Sequence, residues 1–132
     1  MLAYAQYEVT TIDTMLVLEE DVPSTDETLI SLQDTHNIHL APGHTYLISD
    51  NIMLAANDVF TIIVAPTYAS VQDRVQAAEG VYYGTSFYVA SLSTAFILQS
   101  GAGGNLSFPR SETGSPSIYG FHKSTVTVMC LE

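Results

Sequence analysis

Positive charge is nearly missing from this chain. Three bases (Arg74, Arg110 and Lys123) stand against fourteen acids, a formal net charge of −11 over 132 residues. A nucleic-acid partner needs a basic stripe to neutralise phosphates, and three scattered bases cannot build one. Anionic membrane surfaces are disfavoured for the same reason. Cysteine is almost absent too: Cys130 stands alone, so the chain has no internal disulfide and its fold rests on packing. Cys130 lies in an apolar run and reads as a core residue rather than a nucleophile. No run approaches the eighteen consecutive apolar residues that a membrane-spanning helix needs. Met1-Leu2-Ala3-Tyr4 lacks the basic start and apolar stretch of a secretory leader. Charge of either sign is scarce, at 13% of residues, while apolar residues make up 47%. Such a surface is either partly hidden in an oligomer or made polar by serine and threonine.

What is present is short β-branched and aromatic runs separated by turn residues. Strands are expected over residues 4–10, 14–18, 28–32, 36–40, 45–54, 59–64, 84–90, 95–99 and 124–131, with 14–18 pairing to a distant partner. Glu19 to Glu27 reads as an acidic loop, and Ala41-Pro42-Gly43-His44 as a turn in which proline presets φ and glycine supplies a positive φ. Residues 70–79 are the one stretch with helical character. Gly101-Ala102-Gly103-Gly104 is read as a tight strand connection, because it lacks the lysine and following helix of a phosphate-binding loop. Residues 110–120 read as a Ser/Gly/Pro loop. At the C-terminus Val126, Val128 and Cys130 share one face of a strand. About eight to ten short antiparallel strands in one domain, residues 1–132, imply a β-sandwich or barrel. Met1 and Leu131-Glu132 are read as vector-derived ends, which makes this a domain excised from a longer fibrous protein.

Candidate chemistry is sparse. His36, His39 and His44 fall within nine residues. Zinc needs three such ligands converging at about 2 Å from one ion. On a strand, positions three apart face opposite ways, so the cluster reads as a polar strand edge and turn, without a metal. Residues Glu19 to Glu27 lack the regular oxygen spacing of a calcium loop, so calcium is a weak alternative to a solvated acidic face. No nucleophile elbow joins the serines, histidines and aspartates. The aromatic residues Tyr82, Tyr83, Phe87, Tyr88 and Phe121 are the candidate interface or recognition patch.

The order of these pieces carries a resemblance. Ile38-His39-Leu40, a Pro42-Gly43 turn, and the tyrosine-bearing strand Tyr46-Leu47-Ile48 are followed by Gly104-Asn105-Leu106-Ser107-Phe108 and the terminal strand 124–131. This succession, with 4–9 as the opening strand, resembles the tumour-necrosis-factor-like and complement globular-head jelly rolls, as in C-terminal domains of bacterial collagen-like surface proteins and phage fibres. Phe121 and a Met-Cys pair stand where the family usually has a large aromatic. The resemblance implies an all-β jelly-roll sandwich, a homotrimer, and a non-enzymatic head domain with extracellular, cell-surface or virion-surface location. The alternative is a β-sandwich module that binds a cell-surface glycan or protein receptor. A jelly-roll metalloenzyme would need a His-x-His pair, whereas His36 and His39 are spaced differently and His122 is the one later histidine.

Overall fold

The computed structural model describes the backbone of residues 1–56, 60–68, 80–84, 88–113 and 118–132, and the side chains of 1–53, 64–68, 93–110 and 123–132. Alternation is strongest at the two ends of the chain. β1 (Ala3–Ile12) buries Ala3, Ala5, Tyr7 and Val9. The last strand, Ile118–Cys130, buries Ser124, Val126, Val128 and Cys130. These two apolar stripes pair antiparallel, with Ala3 opposite Cys130, so the chain ends lie side by side. β2 (Leu16–Val22) returns along β1. β3 (Ile30–Leu32) and β4 (Ile38–Leu40) are short; β5 (Thr45–Ala56) is long. β6 (Phe60–Val64), β7 (Thr67–Tyr68), β8 (Gly80–Gly84) and β9 (Tyr88–Gln99) follow. β10 (Gly104–Ser107) and β11 (Arg110–Thr113) precede the last strand, β12.

One sheet has the order β2-β1-β12-β5-β9. The other is built from β3-β4-β10-β7 and β11-β6-β8, which join into one layer. Leu106 faces Tyr68, Ser107 faces Thr67, and the same register resumes with Arg110 opposite Val64. The Ala65 N–H donates to the Pro109 carbonyl across the gap at 3.0 Å. The β6–β7 and β10–β11 segments are therefore two long antiparallel strands, each with a local break. Connections β2–β3, β4–β5, β5–β6, β8–β9, β9–β10 and β11–β12 all cross between the sheets. A sandwich wound this way is a jelly roll. Its core lies between the layers: Tyr7, Ile48, Ile52 and Val126 from one sheet, Ile38, Leu40, Tyr68 and Phe108 from the other.

Several boundaries differ from the sequence reading. The twelve described segments make ten strands once β6–β7 and β10–β11 are each joined across their break, within the eight to ten expected. Glu19 to Val22 belong to β2 rather than to an acidic loop, and β2 pairs with its neighbour β1 instead of a distant partner. The strand runs past the rim of the core, where an exposed edge accepts acids. His36 precedes β4 in a turn, since the Asp34 carboxylate accepts the N–H groups of His36 (2.8 Å) and Asn37 (2.9 Å). Residues 88–90 of the strand expected at 84–90 and the one expected at 95–99 belong to a single strand, β9, whose serines and threonine do not interrupt it, while Gly84 ends β8 and 85–87 lie outside the described residues. Ser93 donates to Asn51 Oδ1 (3.0 Å), and Thr94 turns inward to Asp50 (2.8 Å). Residues 110–120 contain β11 and the start of β12 instead of a loop. Residues 70–79, expected to have helical character, lie outside the described residues.

Candidate functional site

The three neighbouring histidines go to three different partners. His36 Nε2 lies 3.1 Å from Asp13 Oδ2 in an exposed side-chain contact. The Met15 N–H and then His36 hold the Asp13 carboxyl below its ordinary range. His39 Nδ1 contacts Asn105 Oδ1 on β10 at 3.3 Å. His44 Nδ1 contacts the Glu132 backbone oxygen at 3.1 Å and sits edge-on to Tyr46. Among the described residues no three His, Cys, Asp or Glu side chains gather as a metal site.

The glycine-rich connection is a clamp between the turns at residues 41–44 and 100–104. Gly43 and Gly103 have φ of 78° and 80°. A Cβ on Gly103 would sit 3.0 Å from Pro42 N and 3.1 Å from the Leu40 carbonyl, so the loop closes onto the Pro-Gly turn at a distance only glycine permits. Buried Ser100 fixes the junction: its hydroxyl accepts from the His44 N–H (3.0 Å) and lies within donating distance of the carbonyls of Ala41 (2.7 Å) and His44 (3.1 Å). The Tyr68 hydroxyl donates to the Ser100 carbonyl (2.9 Å), and the Tyr46 hydroxyl to the Leu29 carbonyl (2.9 Å). These groups satisfy one another, which is architecture rather than a binding site.

The feature without an internal explanation is the outward face of the five-stranded sheet. Register places Tyr4 opposite Met129, Met129 opposite Leu47, and Leu47 opposite Ile97. Four strands thus contribute one row of large side chains pointing away from the core. Tyr4, Leu47 and Met129 are half-buried, while Ile97 is 55% exposed. Leu2 and Leu131 lie beyond this row, at 54% and 37% exposure. The next row is Gln6, Thr127, Ser49 and Ala95, and the third is Glu8, Thr125, Asn51 and Ser93. On β1, β12, β5 and β9 these rows carry one charged residue, Glu8, which faces the exposed Glu19 of β2 at the end of the third row.

The two edges of this sheet also differ. β2 exposes Glu19, Glu20 and Asp21, which discourage strand addition. β9, at the other edge, reads YVASLSTAFILQ, with neither a charge nor a proline in twelve residues. The uncharged edge thus adjoins the apolar row, at the end of the face away from Glu8 and Glu19.

The sequence-predicted aromatic patch is not brought together on one sheet. Tyr82 and Tyr83 lie on β8, with backbones opposite Ile62 and Thr61. Tyr88 opens β9, and Phe121 lies on β12 opposite Leu54 in the other sheet. Phe87 and the side chains of the other four lie outside the described residues. The row through Tyr4, Leu47, Ile97 and Met129 was missed, yet it leaves a signal. Ala95-Phe96-Ile97-Leu98 is apolar at both parities, which sets it apart from the alternating strands whose outer face is polar.

No protein-family model matches this chain, and no curated protein does. Among solved structures it resembles one described as "Structure of Eiger TNF from S. frugiperda", with a TM-score of 0.62, 15% identity, and coverage of 98% of this chain and 92% of that one. Likeness over nearly the whole length at so low an identity establishes the architecture: the chain folds as a tumour-necrosis-factor-like jelly roll.

Proposed function

We propose that the chain is a non-enzymatic head domain that assembles as a homotrimer, giving register to a bacterial or phage surface fibre. Exposed at the cell or virion surface, its loops meet a glycan or protein receptor. The observation that carries the reading is the face just described, an apolar row beside an edge strand with neither charge nor proline. A face and an adjoining edge are different surfaces, so the contact between copies is head-to-tail. A head-to-tail contact closes into a ring when its rotation divides the circle. Glu8 and the facing Glu19 of β2 lie two rows from the apolar row, and Asp13, Asp26 and Asp34 lie on loops, so copies meeting through the apolar row do not oppose those charges. The apolar end of the face flanks the paired ends of β1 and β12, where a fibre stalk would join.

Light scattering after size exclusion tests the assembly. The chain mass is 14.3 kDa, and the expected particle is about three times that, near 43 kDa. A 14.3 kDa particle at micromolar concentration would remove the reading and leave an isolated ligand-binding sandwich. Binding to a glycan array by the intact particle tests the recognition role separately.

A further inference from the structure

Asp50 is the one carboxyl among the described buried residues, at 3% exposure. It sits on β5, the fourth strand of the five, and points inward with Ile48 and Ile52 on either side. Its row across the sheet runs Tyr7, Val126, Asp50, Thr94. Thr94 Oγ1 donates to Oδ2 at 2.8 Å, whereas Oδ1 is buried with no hydrogen-bond partner. A carboxylate placed so would carry a charge in the core with one oxygen unsatisfied, and burying such a charge costs far more than burying the neutral acid.

We propose that Asp50 is a proton-dependent latch: protonated, its carboxyl holds edge strand β9 to β5 within the core, and loss of the proton leaves a bare charge there and loosens that pairing. Among the described residues β9 pairs in the five-stranded sheet along one side, with β5, so it depends on this contact more than an interior strand would.

The titratable groups on the inner faces, among the described residues, are three phenols and a thiol. Tyr7 lies two strands away in the same row, its phenol pushed up to about 12 by burial and then by Glu20 and Glu27. Tyr46 and Tyr68 give their hydroxyl hydrogens to the Leu29 and Ser100 carbonyls. Burial raises Cys130. None of these is charged at neutral pH, and no cation is among the described buried residues. Burial raises Asp50, only partly opposed by Thr94. A carboxyl raised in the folded state contributes stability that is fully present below the unfolded value, near 4, and is lost as pH rises through the folded value. Asp13, Asp26 and Asp34 are lowered and act in the opposite sense, losing their contribution as pH falls through their folded values. The two effects occupy different parts of the pH range.

The test is urea unfolding of the intact protein and Asp50→Asn at fixed chain concentration from pH 4 to 8.5. The ratio of wild-type to variant unfolding constants is expected to rise with pH, by up to about tenfold per pH unit between the unfolded value near 4 and the folded value, and to level off above it. A flat or falling ratio overturns the proposal. If the variant does not fold, carbon-13 NMR of the Asp50 carboxyl in the wild-type protein decides: a midpoint above the ordinary aspartate range supports the latch, and one at or below it overturns it.

Discussion

Replacing Ile97 probes the assembly face without touching the core, because Ile97 points outward while its neighbours Phe96 and Leu98 point inward. Fully burying an isoleucine contributes about 1.5–3 kcal/mol, and Ile97 retains 55% of its exposure for a partner to cover. Ile97→Ala therefore costs each contact about 1 kcal/mol. Three contacts in a closed ring give about 3 kcal/mol, or roughly a hundredfold weaker assembly. Ile97→Asp adds the burial of an unpaired carboxylate, several kcal/mol per copy, and is expected to abolish the trimer. Sedimentation velocity over a concentration series reads both variants, and far-ultraviolet circular dichroism checks the fold. The expected result is a folded aspartate variant at monomer mass, with the alanine variant shifted to higher concentration. An aspartate variant that stays trimeric would refute the assignment of this face.

Other outcomes follow from the same structure. Ser100→Ala leaves the His44 N–H and the Ala41 carbonyl short of a partner inside the fold, and is expected to cost about 1–3 kcal/mol in urea unfolding. Gly103→Ala is expected to lower the melting temperature more than Gly101→Ala does. Both have positive φ, but a Cβ at 101 meets nothing within 4 Å, whereas one at 103 meets backbone at 3.0 Å; equal losses would contradict the clamp. Added sodium chloride is expected to raise the melting temperature by screening the net charge of −11, and calcium at equal ionic strength to do no more. A saturable rise at micromolar calcium would instead identify an acidic site.

The parts of the fold legible in the sequence are those where one strand face is core and the other is polar. Tyr4 to Val9 and Ser124 to Leu131 alternate cleanly, and Pro42-Gly43 marks its own turn. β9 was cut in two because Ser91, Ser93 and Thr94 look like loop chemistry until their partners on β5 are known. The acids of β2 read as a loop because an edge strand past the core rim has no apolar parity to show. The contact face was illegible for a different reason. Tyr4, Leu47, Ile97 and Met129 are scattered over the sequence, and only strand register lines them up. Asp50 was likewise invisible, since a lone aspartate in a strand announces neither its parity nor its missing partner.

The central claim is that the outward face of the β2-β1-β12-β5-β9 sheet is covered by another copy of the chain. A sample assembled from equal parts of carbon-13-labelled and unlabelled chains reads this directly, through isotope-filtered nuclear Overhauser effects between subunits. The account predicts intermolecular contacts from the Ile97, Leu47 or Met129 methyl groups. Intermolecular contacts confined to the acidic β2 edge, or none from this row in a particle of trimer mass, would contradict it.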